Sequence, residues 1–195
     1  MQSICVYSGS ADGIHAEFKA AAREMGRLLA ERGIRLIYGG GRTGLMGDVA
    51  DGALEAGGEV VGVITEAMNT TALAHPNLTR LEVTSTIHER KARMYDLAEG
   101  YIALPGGFGT FDELFETITW AQIGLHEKPV GLLNTRHYYD PLLKLVDHAE
   151  KERFIFPEHR QIMVSAATPK ELLKAMESHQ HPTEAVKRWL REDQS

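Results

Sequence analysis

The sequence predicts an α/β fold, a doubly wound parallel sheet, and three observations lead there. Short apolar runs alternate with amphipathic stretches from one end of the 195 residues to the other, with no linker-like or low-complexity break. Strands joined through helices of ten or more residues make right-handed crossovers and a parallel sheet. Three of the runs end in glycine-bearing turns, Ser8-Gly9-Ser10, Gly39 to Gly44 and Pro105 to Gly109. In a parallel sheet these turns share one edge, and ligands bind there where the strand order reverses. Lastly, a chain that is 43% hydrophobic and 25% charged suits one domain, 1–195, with a full core. It shows no repeat of fixed period. Together these describe a Rossmann-like single domain.

The elements follow in order. Ile4 to Tyr7 reads as the first strand. A helix runs from about His15 to Arg32, with Phe18, Ala22, Met25, Leu28 and Leu29 at helical spacing. Gly33 closes it at C′. Ile34 to Tyr38 is the second strand and leads through Gly39-Gly40-Gly41-Arg42-Thr43-Gly44-Leu45-Met46-Gly47 into a helix that ends near Ala56. Val60 to Ile64 is the third strand. Thr65 to Asn77 has no period and reads as a loop bordering a site. Leu81 to Thr84 is the fourth strand, and Ser85 is the expected N-cap of a helix through Ala98. Its apolar stripe is Ile87, Met94, Leu97 and Ala98. Gly100 to Leu104 is a buried strand, and Pro129 to Leu133 another. Tyr139 to Arg153 is helical, regular from Pro141. Ile162 to Val164 is a last short strand. Pro169 to His179 and Thr183 to Arg191 are helices that each carry a proline near the start.

Composition narrows the function. A net charge of −6 argues against a general nucleic-acid coat. Cys5 is the one cysteine, which excludes an intrachain disulfide and a cysteine-based metal cage. The histidines are scattered without ligand spacing, so no metal is expected. No stretch has transmembrane length and the start lacks leader features, so the expectation is a cytoplasmic protein away from membranes. There is no triphosphate loop of the G-x-x-x-x-G-K-[ST] type and no nucleophile elbow.

The stretch Leu104-Pro105-Gly106-Gly107-Phe108-Gly109-Thr110-Phe111-Asp112-Glu113 carries most of the chemistry. Glycines at a strand-to-helix junction let the backbone approach a ligand closely. The free amides and the dipole of a new helix favour an anion there. Two roles fit Glu113. It is either the N3 partner of Thr110 in a capping box or a carboxylate held over the phosphate cradle. Arg90 weighs on the choice: it lies on the apolar stripe of its helix, where a cation must find an anion or reach the sheet edge. One role for it is a snorkelled or structurally paired arginine; the other is a cation beside Glu113, with Lys91 and Arg93 nearby. Gly39 to Gly44 also matches G-x-G-x-x-G, with Glu66 about twenty residues on. A dinucleotide fingerprint, a plain tight turn, or a mononucleotide turn with Gly40, Gly41, Arg42 and Thr43 near the ligand are the open readings. Ser8 ends the remaining strand at the same edge.

Taken together, His88-Glu89-Arg90-Lys91-Ala92, Pro105 to Glu113, the Tyr-Gly-Gly-Gly…Gly-Leu-Met-Gly segment and the Ser-Gly-Ser strand end resemble the LOG (Lonely Guy) family of cytokinin-activating phosphoribohydrolases. The likeness spans roughly residues 1–180. It implies hydrolysis of a nucleoside 5′-monophosphate to a free base, adenine or an N6-modified adenine, and ribose 5-phosphate, without a cofactor. By resemblance the catalytic pair is Arg90 and Glu113. Gly106, Gly107, Phe108, Gly109 and Thr110 surround the phosphate, and Lys91 and Thr119 assist in binding. The family is dimeric, and apolar faces around Trp120 and Trp189 suit self-association. Many members were long labelled lysine decarboxylases, yet nothing in the sequence supports a decarboxylase cofactor site. Phe108 stands where plant members have tyrosine, Phe111-Asp112 where they have Leu-Glu, and the Thr65 to Asn77 loop departs from their pattern. That leaves the preferred base open. The alternative is a non-catalytic carrier of a nucleotide or phosphorylated cofactor, which has no need of the Arg90 and Glu113 pair.

Overall fold

A computed structural model describes residues 1–183 of the chain. Seven strands, β1 (Ser3–Tyr7), β2 (Arg35–Tyr38), β3 (Val60–Thr65), β4 (Arg80–Thr84), β5 (Tyr101–Ala103), β6 (Val130–Leu133) and β7 (Met163–Ala166), form one sheet. Every pairing between them is parallel. The order is β4-β3-β2-β1-β5-β6-β7, so the chain winds outward one way from β1 to β4 and the other way from β5 to β7. The reversal lies between β1 and β5, whose ends carry two of the three glycine turns.

Helices α1 (Ala16–Glu31), α2 (Gly44–Glu55), α3 (Ile87–Leu97), α4 (Phe108–Gln122), α5 (Asp140–Lys151), α6 (Pro157–Arg160) and α7 (Pro169–Ser178) cover both faces. Successive strand residues point to opposite faces, and the core splits on that period. Ile4, Val6, Leu36 and Tyr38 pack with Met25, Leu29, Val49 and Leu172 under α1, α2 and α7. Cys5, Tyr7, Ile37 and Val61 pack with Met94, Leu114 and Val146 under α3, α4 and α5. Fully burying one such aliphatic side chain is worth about 1.5–3 kcal/mol, so both layers contribute heavily.

Helices α1 and α2 meet backbone to backbone. A Cβ on Gly26 would sit 2.0 Å from the Val49 carbonyl oxygen, and one on Gly52 would sit 2.2 Å from that of Arg23. Only residues without a side chain allow that approach.

The predicted elements stand with local corrections. Gly33 closes α1 at φ 67°, donating to the Ala30 carbonyl at 2.9 Å. The N-cap of α3 is Thr86 rather than Ser85, because Thr86 and Glu89 satisfy each other's amides in a full capping box. Ile87, expected on the buried stripe, is 43% exposed as the first residue of α3. The last strand starts at Met163, α6 forms where no element was expected, and the Thr65 to Asn77 loop contains a 3-10 turn at Glu66–Met68. The helix expected over Thr183 to Arg191 lies, beyond its first residue, outside the described residues, as does Trp189. Among the described residues no helix is long and apolar enough to cross a membrane.

Candidate active site

The glycine turns do more than share an edge, because they lock into one another. The Gly9 amide donates to the Pro105 carbonyl at 3.1 Å, and the Met46 amide donates to the Gly9 carbonyl at 3.2 Å. A Cβ on Gly106 would lie 2.1 Å from the Thr110 hydroxyl and 2.8 Å from the Gly9 nitrogen. Gly44 adopts φ 62°, and a Cβ there would lie 2.3 Å from the Ser10 carbonyl carbon. Gly107 and Gly109 differ from these. A Cβ on either would meet nothing within 4 Å, so the fold itself does not demand glycine at these two positions.

The capping-box role of Glu113 does not hold. Helix α4 begins at Phe108 with Gly107 as its N-cap and no side-chain cap bond, which makes Thr110 the third helical residue and Glu113 the sixth. Glu113 instead meets Arg90. The capping box at Thr86 fixes the start of α3 and puts Arg90 in its first turn, pointing at the sheet edge. Arg90 is only 8% exposed. Its Nε donates to the Val63 carbonyl at 2.9 Å and its Nη1 donates to Glu113 Oε1 at 3.0 Å. Room for the guanidinium comes from Gly39, where a Cβ would stand 2.2 Å from Nη2. Burial pushes the Glu113 carboxyl above its ordinary pKa, against the opposing pull of Arg90. Lys91, next on the helix, donates to Asp112 and Glu116 at 3.0 Å each. Burial works against its ammonium, but these two carboxylates outweigh it and raise its pKa.

These groups line one cleft of about 470 Å³ above the strand reversal. That volume suits a small organic ligand. Of the residues expected at a site, Ser8, Gly41, Arg90, Lys91, Gly107, Phe108, Gly109, Thr110 and Glu113 line it, as does Thr43. Phe108 stands at the mouth, 92% exposed. The Ser8 hydroxyl is buried there without a partner. Gly106 sits just behind the wall, against Gly9. Two expectations fail on geometry. Gly40, at φ 74°, turns toward Ile64 and Leu81 in the sheet and only shapes the turn. Thr119 is on the exposed side of α4, donating to the Phe115 carbonyl, away from the cleft. Glu66, the ribose-binding acid of the dinucleotide alternative, is exposed in the 3-10 turn and does not reach the cleft.

The sequence reading missed the opposite, apolar wall: Met46, Ile64, Met68, Leu73 and Ile87. Its signal was present in Met68 and Leu73, the two large apolar residues of a loop otherwise made of small and polar residues. That loop is anchored at its C-terminal end. The Arg42 amide donates to the Leu73 carbonyl and the His75 amide to that of Gly40. The His75 ring pairs with Asp51 at 3.1 Å and accepts from the Asn77 amide.

Comparison with known proteins gives the same direction. A family model described as "Possible lysine decarboxylase" matches residues 46–176. The chain is 49% identical over 176 residues to the probable cytokinin riboside 5'-monophosphate phosphoribohydrolase LOGL1 of Oryza sativa subsp. japonica, covering 90% of this chain and 79% of the relative. It is 47% identical over 176 residues to the cytokinin riboside 5'-monophosphate phosphoribohydrolase LOG of the same plant, covering 90% and 73%. To LOG3 of Arabidopsis thaliana it is 44% identical over 176 residues, covering 90% and 82%. Among solved structures, a molybdenum cofactor binding protein from Rippkaea orientalis superposes with TM-score 0.69 at 24% identity, covering 90% of this chain and 95% of that one. The molybdenum cofactor carrier protein of Chlamydomonas reinhardtii gives 0.66 at 21%, covering 90% and 95%. At those identities the structural likeness bears on the fold alone. With the paired Arg90 and Glu113, the glycine cradle beside them and relatives of this identity over nine-tenths of its length, the chain belongs to the LOG family.

Proposed function

We propose that the protein hydrolyses the N-glycosidic bond of adenosine 5′-monophosphate or its N6-modified forms, releasing the free base and ribose 5-phosphate. The observation that carries this is the contact between Arg90 and Glu113, 3.0 Å apart in the same cleft as the open glycines of the α4 start. The first amides of a helix lack intrahelical partners and favour an anion, so Gly107, Phe108 and Gly109 supply a phosphate site. Thr110 and Ser8 line the same cleft. The ribose then sits beside Glu113 and the base against Met46, Met68, Leu73 and Ile87.

Cleavage of a ribosyl bond develops positive charge on the sugar. A carboxylate held in place stabilises that charge and orients the attacking water. Glu113 fills this role. A guanidinium is a poor proton donor, so the part of Arg90 is electrostatic. It holds Glu113 in position and offsets the cost of burying its charge. Phe115, Ile123 and Leu125 leave apolar surface on and just after α4, which suits a homodimer. Cys5 is buried and unpaired, in keeping with a reducing compartment such as the cytoplasm.

The test is incubation with AMP and with isopentenyladenosine monophosphate, following base release. We expect release from at least one, and its loss in Glu113→Gln with the fold intact. Tight calorimetric binding of intact nucleotide with no base at high enzyme concentration would overturn the reading in favour of a carrier. Full activity of Glu113→Gln would remove Glu113 from the chemistry.

A further inference from the structure

Three successive carbonyls in the β5 to α4 turn are each held by a donor. Leu104 accepts from the Tyr139 hydroxyl at 2.6 Å, Pro105 from the Gly9 amide at 3.1 Å, and Gly106 from the Tyr138 hydroxyl. The two tyrosines come from the segment before α5. There Arg136 and His137 take φ of 53° and 60°, a left-handed pair of non-glycine residues that costs free energy. The Arg136 guanidinium is tied to Glu17 at 2.7 Å, and the Asn134 side chain accepts from the Tyr139 amide at 2.7 Å. The outcome of this turn is that both hydroxyls reach the back of the phosphate cradle.

In a trans peptide the carbonyl and the following N–H point in opposite directions, and no peptide here is cis. Tyr138 packs edge-on against Phe18 and is not among the cleft residues, so it grips the Gly106 carbonyl from outside. The N–H of the same peptide belongs to Gly107, which lines the cleft. We propose that Tyr138 is a positioning residue, aiming the Gly107 amide at the substrate phosphate through the Gly106 carbonyl. The inference rests on the phosphoribohydrolase reading for the identity of the ligand. Tyr139 supplies an internal control, because the peptide it holds ends in Pro105, which has no N–H to aim.

The experiment compares binding of AMP, ribose 5-phosphate and adenosine to the full chain and to Tyr138→Phe and Tyr139→Phe by calorimetry, with steady-state cleavage of AMP alongside. In Tyr138→Phe the Kd of AMP and of ribose 5-phosphate should rise about tenfold, the worth of one well-aimed hydrogen bond to a charged group. Adenosine, which lacks the phosphate, should bind as before, and the loss should fall on KM rather than kcat. Tyr139→Phe should lower the melting temperature while leaving phosphate affinity within about twofold of the parent. The proposal is overturned if Tyr138→Phe binds AMP like the parent, if it weakens adenosine as much as AMP, or if a folded Tyr139→Phe loses phosphate affinity equally. Should the unmodified protein bind neither AMP nor ribose 5-phosphate, the functional reading fails and takes the inference with it. Normal parent binding with an unaffected Tyr138→Phe sinks the inference alone.

Discussion

Gly39→Ala is a one-methyl test of the proposed catalytic pair, Arg90 and Glu113. Gly39 is outside the left-handed region, so alanine fits its backbone and the effect is steric. The new Cβ would meet Met46 Sδ at 3.3 Å, which a flexible thioether absorbs, and Arg90 Nη2 at 2.2 Å, which is impossible. Restoring an ordinary 3.4 Å contact moves Nη2 by 1.2 Å. The guanidinium is buried and pinned to Val63 and Glu113 at 2.9 and 3.0 Å, so a shift of that size breaks or bends both bonds. Hydrogen bonds to charged groups are worth about 1.5–3 kcal/mol each, and partial re-aiming leaves an expected stability loss of about 2–3 kcal/mol. Misplacing a catalytic group by about 1 Å costs roughly a hundredfold, so kcat/KM for AMP should fall by about that factor. Denaturant melts and adenine release measure the two effects. A folded variant with parental kcat/KM would show that Arg90 need not sit where the structure puts it. A structure of an inactive variant with the Arg90 to Glu113 contact unmoved would show that the loss had another cause.

Three further outcomes follow from the same site. Burial raises the Glu113 pKa, and the proposed role requires its carboxylate, so the acid limb of the rate profile should lie above the ordinary glutamate range; a limb near the usual value would contradict this. The stability term has the opposite sign: the folded state binds the proton more tightly than the unfolded one. Relative to Glu113→Gln, the parent should therefore lose stability as pH rises from the ordinary glutamate value through the raised one, which paired thermal melts across pH would record. Gly107→Ala meets nothing in the protein, so its stability should stay within about 1 kcal/mol of the parent, while the methyl should raise KM for AMP at least about tenfold by obstructing the phosphate. A parental KM would move the phosphate elsewhere.

How much of this was legible in the sequence depends on range. The strand and helix order was readable because each element carries its own period and its own glycine or proline punctuation. A cation on an apolar stripe made Arg90 beside Glu113 one of two readings, and the resemblance to the LOG family singled that one out. From sequence the capping-box alternative stays open because T-x-x-E fits two helix starts three residues apart. What decides is Gly107, whose open backbone lets α4 begin early. Gly39 and Gly40 were indistinguishable in a run of three glycines, since which one faces the arginine depends on the rotation of the turn. Tyr138 left no signal at all. Its role arises from a left-handed pair of residues that carry no glycine, acting on a carbonyl more than thirty positions away. The apolar wall was partly visible, as Met68 and Leu73 in the loop, whereas Met46, Ile64 and Ile87 join it only through the fold.

The backbone contact between α1 and α2 sets where this molecule tolerates change. Neither Gly26 nor Gly52 has space for even a methyl group, so that side of the sheet cannot be resized without prising two helices apart. The turn carrying Gly39 and Arg42 grows out of that immovable block. Anyone wishing to redirect the enzyme toward a different nucleobase should leave it alone and vary Met68, Leu73 and Ile87 instead, where partial exposure means new side chains displace solvent rather than scaffold.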